Sequence, residues 1–293
     1  MIDRRRLVAH VRKVVLKAGT QVLTTQHNRI DTSTLEHLVE QTAGLVRSRN
    51  MQVLIVTSGA VAAGMQVLGW DERPSNLSLL QAAASVGQSR IMRVYERLFR
   101  EQGIAVGQVL LTADIFRSEE RIQNVTRTLS TLLAHGVIPV INENDAVAVD
   151  ELRSAPGARP AGAVRFGDND RLSARVAELI HADLLVILSD VDGLYDRDPK
   201  RPGARLIQEV RQVDRNLLRV GSKGGTSLLG TGGMRTKLEA AAYVNALGIP
   251  CIIANGKSPW ILRRIFDGES VGTACLPTGR AGARRRACPG RTR

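Results

Sequence analysis

The chain has 293 residues, enough for one large α/β domain or two small ones, with an ordinary globular composition and few aromatics. Its net charge of +13 sits at the ends, six Arg without an acid in residues 280–293 and a net +4 in residues 1–13, so the body carries only +3 and no basic nucleic-acid-binding face is indicated. Cys251, Cys275 and Cys288 show no paired spacing and no apolar run approaches the roughly 20 residues of a membrane span, so the composition points to a reducing cytoplasm and supports no disulfide framework, zinc site or membrane anchor.

Near the N-terminus the short apolar stretches are interrupted by His10, Arg12 and Lys13, which argues against a signal peptide. Residues 13–16, Lys-Val-Val-Leu, read as a short buried strand running into Lys17-Ala18-Gly19-Thr20. A lysine leaving a buried strand before a glycine turn lies at the strand's carboxyl end, the edge where open α/β sheets bind ligands. A solvated strand-end lysine has the same local signature. Ser33-Thr34-Leu35-Glu36 is a capping-box pattern, and Leu35, Leu38, Val39, Ala43 and Val46 share one helical face behind it. Residues 52–56 form a second buried strand that ends in Thr57-Ser58-Gly59-Ala60, again strand, glycine turn, helix. Ser58 can cap that helix or hydrogen-bond a carboxylate or phosphate.

Residues 77–100 read as a long helical region interrupted at Gly87, with Ala82, Ala83 and Ala84 allowing close helix packing. Residues 104–111 are strand-like, 121–135 helical, and 137–141 the next buried strand, ending in Asn142-Glu143-Asn144-Asp145. Such a cluster can hold an ammonium group or form an ordinary polar turn. Residues 151–165, rich in Pro, Gly, Ala and Arg, read as a flexible surface loop. Phe166-Gly167-Asp168-Asn169-Asp170 then opens a helix expected to reach residue 181. The helix dipole favours acids in the first turn, but two acids and an amide beside a glycine are more than a cap requires.

Residues 184–188 are continuously apolar, as in a central parallel strand, and lead into Ser189-Asp190-Val191-Asp192-Gly193. No Glu stands where a calcium loop needs one. In Gly230-Thr231-Gly232-Gly233-Met234-Arg235-Thr236-Lys237, three glycines in four residues precede a helix over residues 234–247. Glycine lets backbone N–H groups converge on a ligand, a helix start adds free donors and the positive dipole end, and Lys237 adds a mobile charge. Together these suit a polyphosphate, although a plain glycine-rich turn has the same composition. The spacing is neither that of a Walker loop nor that of a dinucleotide fold. A strand over residues 250–254 and a helix over 260–266 close the body, while residues 277–293 have little to bury and are expected to be disordered.

Strands alternating with helices place the chain in the α/β class, with an open, mostly parallel sheet covered by helices on both faces. Four strand ends, at Lys17, at Ser58, at Asn142 to Asp145 and at Ser189-Asp190, carry functional-looking groups at one edge of that sheet. Two lysines, several glycines, serines and acid–amide clusters, without a Ser–His, Cys–His or metal-ligand set, suit phosphoryl transfer, where positioning and charge neutralisation supply most of the catalysis.

These stretches, with Gln81-Ala82-Ala83-Ala84-Ser85-Val86-Gly87-Gln88 and Tyr195 added, resemble the amino acid kinase family, in its glutamate 5-kinase branch, in the family's order and over roughly residues 11–276. The resemblance implies an αβα sandwich for residues 1–276. It implies ATP-dependent phosphorylation of the γ-carboxylate of L-glutamate to L-glutamyl 5-phosphate, the first step of proline biosynthesis. The alternative is another acceptor of the same family: aspartate, N-acetylglutamate or a nucleoside monophosphate.

Carried over by residue, Lys17 would contact the ATP phosphates. Ser58, Asp145 and Asn169 would bind glutamate. Ser189 and Asp190 would lie by the nucleotide. Thr231, Gly232, Gly233, Met234, Arg235, Thr236 and Lys237 would form the phosphate loop, with Lys237 on the transferring group. Asp170 would organise the two lysines, and no side chain is assigned as a metal ligand. Members of the family use Mg²⁺ with ATP, form homo-oligomers and are often inhibited by proline.

Ala18 and Gln21 replace the leucine and serine usual beside the first lysine, and the loop 151–165 is longer than usual. Many members continue into a C-terminal PUA domain, an RNA-binding-type fold. Here the Arg-rich residues 277–293 follow instead, and that domain is expected to be absent. The rival from another class is a nucleic-acid-binding protein using the basic tail, which leaves the strand-end residues unexplained.

Overall fold

The computed structural model describes residues 2–27, 29–147, 169–199, 201–214, 217–218 and 233–277. The expected loop 151–165, residues 166–168, Thr231, Gly232 and the tail from residue 278 lie outside the described residues.

Among the described residues, eight strands form one sheet: β1 (Lys13–Ala18), β2 (Gln52–Val56), β3 (Val106–Leu111), β4 (Ile138–Glu143), β5 (Leu184–Ser189), β6 (Glu209–Val210), β7 (Cys251–Asn255) and β8 (Thr273–Cys275). They lie in the order β3-β4-β2-β1-β5-β7-β8-β6. Pairing is parallel except between β7 and β8. The sheet is therefore open and mostly parallel, as the apolar runs of β1, β2 and β5 required. The β6 and β8 strands are too short to carry a periodic signal, and the sequence reading missed both.

The chain lays β2, β4 and β3 on one side of β1, and β5, β7, β8 and β6 on the other. The direction of winding thus reverses between β1 and β5. A crevice opens at the carboxyl ends of the strands where winding reverses, and that is where such sheets bind ligands. Lys17 stands in register with Val56 of β2 and Ile187 of β5, at the mouth of this crevice.

Two helical layers cover the sheet. Helices α3 (Thr32–Arg49), α4 (Ala60–Leu68) and α5 (Leu77–Glu101), with α9 (Ile261–Phe266), pack on the face that holds Val14, Leu16 and Ala18. Helices α6 (Glu119–Ala134), α7 (Asn169–Leu179) and α8 (Met234–Ala246) pack on the other face, with Val15. Strand side chains alternate between faces. Lys17, two residues beyond Val15, therefore points toward α7 and α8.

Helix α5 runs unbroken through Gly87, contrary to the expected interruption. The glycine serves packing instead. A Cβ on Gly87 would stand 1.8 Å from the Ala60 carbonyl oxygen, and one on Gly64 would stand 1.7 Å from that of Ala83. The backbones of α4 and α5 touch at both points. Burial of Ile91 and Phe99 on the same helix, each worth about 1.5–3 kcal/mol, secures α5 against the sheet.

Helix α3 starts two residues earlier than its capping-box pattern suggests. Asp31 is the N-cap, with Oδ1 accepting from the Thr34 N–H at 3.1 Å, and a carboxylate there outcompetes Ser33. Two short elements carried no sequence signal: α1 (Arg4–Val8) and α2 (Thr20–Leu23), a single turn after Gly19. Arg4 is buried and donates to the Gln208 carbonyl at 2.6 Å, so part of the N-terminal positive charge is structural.

Candidate active site

Three charged side chains from three separate elements meet above the β1–β5 crevice. Lys17 Nζ, at the end of β1, lies 2.6 Å from Asp170 Oδ1. Lys237 Nζ, from the first turns of α8, lies 3.1 Å from Asp170 Oδ2. The Thr236 hydroxyl is within 2.9 Å of the same Oδ2 and of the Gly233 carbonyl, and one hydrogen serves the two acceptors. The side chains of Lys17, Lys237 and Asp170 are only 5%, 7% and 0% exposed.

Burial alone would raise the Asp170 carboxyl. The charges of Lys17 and Lys237, with hydrogen bonds from Lys17 and Thr236, outweigh burial and hold it well below the usual carboxylate range. Two ammonium groups thus gather at one buried carboxylate, a concentration of positive charge suited to an anionic ligand. Helix termini reinforce it. Asp170 stands in the first turn of α7, and α8 begins at Gly233 with no side-chain cap, so two helix starts, of the kind that favour anions, meet here.

Beside this cluster runs a buried chain of amides. Asn169 Nδ2 donates to Ser58 Oγ at 2.8 Å and to Asn142 Oδ1 at 3.1 Å. Asn142 Nδ2 donates to Gln88 Oε1 at 2.7 Å. Ser58 does not cap α4, because Gly59 at φ +92° occupies the N-cap position. That left-handed turn, which favours glycine, turns the Ser58 hydroxyl to Asn169 instead. Below it, Thr57 Oγ1 and the Tyr95 hydroxyl are 3.1 Å apart. Burial pushes the Tyr95 phenol up to about 12, so this support stays neutral.

The remaining expected residues take the following places. Ser189 ends β5, beside β1, and donates to Asp190 Oδ1 at 3.1 Å; Ser189 is buried and Asp190 exposed. Asp145 is half-buried in the turn after β4. Gly233 caps α8 and Met234 packs on the core under it. Arg235 is exposed and pairs along its helix with Glu239 at 2.9 Å, a carboxylate that also takes Arg171 at 2.6 Å. Gln88 escaped the list of candidate site residues. The available signal was a single amide on the buried stripe of Ala83, Ala84, Gly87 and Ile91.

The pattern of the amino acid kinase family matches residues 12–255. A glutamate 5-kinase of Geobacter sp. (strain M21) is 47% identical over 284 residues, covering 97% of this chain and 72% of that one. Another, from Clostridium acetobutylicum, is 42% identical over 278 residues, covering 94% and 99%. Among solved structures, a UMP kinase from Bacillus anthracis superposes with a TM-score of 0.59 at 18% identity, over 92% of this chain and 97% of that one, a likeness of fold alone. With four parallel strand ends converging on two lysines, and relatives this similar over nearly the whole length, the chain belongs to the amino acid kinase family, among the glutamate 5-kinases.

Proposed function

We propose that the cluster of Lys17, Asp170 and Lys237 is the phosphoryl-transfer centre of a glutamate kinase. The chain phosphorylates the γ-carboxylate of L-glutamate with ATP, the opening reaction of proline biosynthesis. One observation carries the site assignment: a single buried carboxylate spaces two lysines from different elements.

The chemistry follows from charge. A glutamate side chain, with a pKa of about 4.3, is already an anion at neutral pH, so the nucleophile needs no general base. The obstacle is repulsion between that anion and the triphosphate. Lys17 and Lys237 answer it by placing positive charge where the γ-phosphoryl group and the leaving oxygen gather negative charge. Asp170 keeps both ammonium groups in place and is itself no proton acceptor, since its neighbours hold it ionised. Ser58 and Asn169 hold glutamate on one side, with Asp145 on its α-ammonium. Ser189, Asp190 and the start of α8, with Gly233, Met234, Arg235 and Thr236, take the nucleotide.

Kinases of this kind use a divalent cation, and Mg²⁺ is the proposed one. Among the described residues no cluster of three or more His, Cys, Asp and Glu could hold a metal, and the central carboxylate is taken by two lysines. Among the described residues the donor set does not fit a resident ion. Mg²⁺ is therefore assigned to the nucleotide, whose phosphates are its usual ligands, and arrives with it as substrate. Self-association and inhibition by proline belong to the same reading; light scattering and a proline titration test them.

The deciding experiment is an acceptor screen. ADP release is measured with glutamate, aspartate, N-acetylglutamate and UMP, and hydroxylamine traps any acyl phosphate. Glutamate should give both ADP and hydroxamate. Turnover confined to another acceptor would overturn the reading.

A further inference from the structure

We propose that Gln88 is a positioning residue for the amino-acid substrate, acting through Asn142 to fix which atom Asn169 presents. This rests on the glutamate kinase reading above. The amide chain has a direction. Gln88 Oε1 accepts from Asn142 Nδ2, which leaves Asn142 Oδ1 to accept from Asn169 Nδ2. The second Asn169 Nδ2 hydrogen goes to Ser58 Oγ. Both amide hydrogens of Asn169 are then used, and its Oδ1 is buried with no partner.

A buried acceptor left without a donor is costly, so its presence at a binding site points to a ligand that supplies one. Ser58 Oγ, as acceptor from Asn169, keeps its own hydrogen to donate. The chain thus offers an acceptor, Asn169 Oδ1, and a donor, the Ser58 O–H, on two side chains that are hydrogen-bonded to each other. An ammonium group and a carboxylate satisfy that pair, so the arrangement selects a zwitterionic amino acid. Reversing the chain would present the Asn169 amide hydrogens instead and favour an anion alone.

Gln88 stands at the far end and sets the direction by accepting. Its own Nε2 is buried without a partner, the second loose end of the chain. Gln88 is held on a rigid base, because neighbouring Gly87 meets the Ala60 backbone directly. It reaches the substrate through two intervening side chains, which is why it is a positioning residue and not a catalytic one.

The test compares Gln88→Leu, Gln88→Met and Gln88→Glu in the full chain, reading KM for glutamate, KM for ATP, kcat and thermal unfolding. Leu and Met keep the bulk and remove the acceptor, so KM for glutamate should rise on the order of 10-fold while KM for ATP stays within about 2-fold. Glu keeps an acceptor, so its KM for glutamate should stay closer to wild type than that of either apolar variant. Leu and Met variants with wild-type KM for glutamate overturn the proposal, and so does a parallel rise in both KM values, which marks a merely structural role. If Gln88→Glu does not fold, the Leu and Met variants decide alone. Wild-type protein that turns over no glutamate overturns the underlying reading, whereas normal wild-type turnover with unmoved variants overturns only the role of Gln88.

Discussion

Lys17 Nζ and Asp170 Oδ1 lie 2.6 Å apart with both side chains shielded from solvent, and this contact joins the end of the first strand to the start of helix α7. The Lys237 ammonium, 3.1 Å from the other carboxylate oxygen, joins the same cluster. Substitutions at the three positions act differently. Removing a lysine leaves Asp170 with the other lysine, while removing the carboxylate takes a buried partner from both lysines at once.

Asp170→Asn should therefore destabilise the fold by about 3–5 kcal/mol near pH 7, the usual effect of stripping one partner from a buried ion pair. The dependence on pH has a definite sign. The native carboxyl is held below its unfolded value, near 3.9, so its contribution is present above pH ~4 and is lost as pH falls toward the native value. Chemical denaturation of wild type and Asp170→Asn from pH 7 to pH 3 should show the difference shrinking on the acid side. A difference that is constant over the whole range would mean that Asp170 is not held ionised by the lysines.

Lys237→Ala separates catalysis from stability. Asp170 keeps Lys17 as a buried partner, so the melting temperature should fall less than in Asp170→Asn. Turnover should fall on the order of 10²-fold or more, because one charge-stabilising donor is missing from the transition state. The KM for ATP should move far less than kcat. Near-normal kcat would remove Lys237 from the transferring group.

Asp145→Ala addresses the acceptor. Asp145, a half-buried carboxylate in the turn after β4, is the proposed partner of the substrate's α-ammonium. Its loss should raise KM for glutamate on the order of 10-fold, the effect of one charge-assisted hydrogen bond, and leave KM for ATP nearly unchanged. Equal changes in both KM values would instead assign Asp145 to the shape of the strand end.

The four strand ends were legible in the sequence because an α/β alternation with apolar runs forces parallel strands, and parallel strands share one carboxyl edge. Lys17 could be placed on that edge from the buried strand before it and the glycine turn after it. What could not be read was lateral order. Nothing local says that β5 lies beside β1, so the 2.6 Å contact with Asp170 followed from topology and from the resemblance, not from spacing. Gln88 escaped for a different reason. A polar residue on an apolar helical stripe looks like an imperfection of the stripe until the Asn142 amide is found 2.7 Å away. The antiparallel β8 escaped because a three-residue strand is shorter than any period that could announce it.

The last prediction concerns two glycines inside helices, where the same substitution should have opposite signs. Glycine in a helix interior costs roughly 0.5–1 kcal/mol relative to alanine, through the freedom it has in the unfolded chain. At Gly44, in α3, an added Cβ would meet nothing within 4 Å. Gly44→Ala should therefore raise stability by about 0.4–1 kcal/mol and leave both KM values alone. At Gly87 the added Cβ would stand 1.8 Å from the Ala60 carbonyl oxygen and 2.4 Å from the Gly64 nitrogen, both backbone atoms that no rotamer change can move. Helices α4 and α5 must separate to admit it. Overpacking of this kind costs about 1–3 kcal/mol or more, which exceeds the gain in helix propensity. The separation also carries Gln88 away from Asn142, so KM for glutamate should rise in Gly87→Ala and not in Gly44→Ala. Thermal unfolding and initial rates on the two variants check both parts. If Gly87→Ala is as stable as wild type, the two helices are not in backbone contact and Gln88 is not held by them.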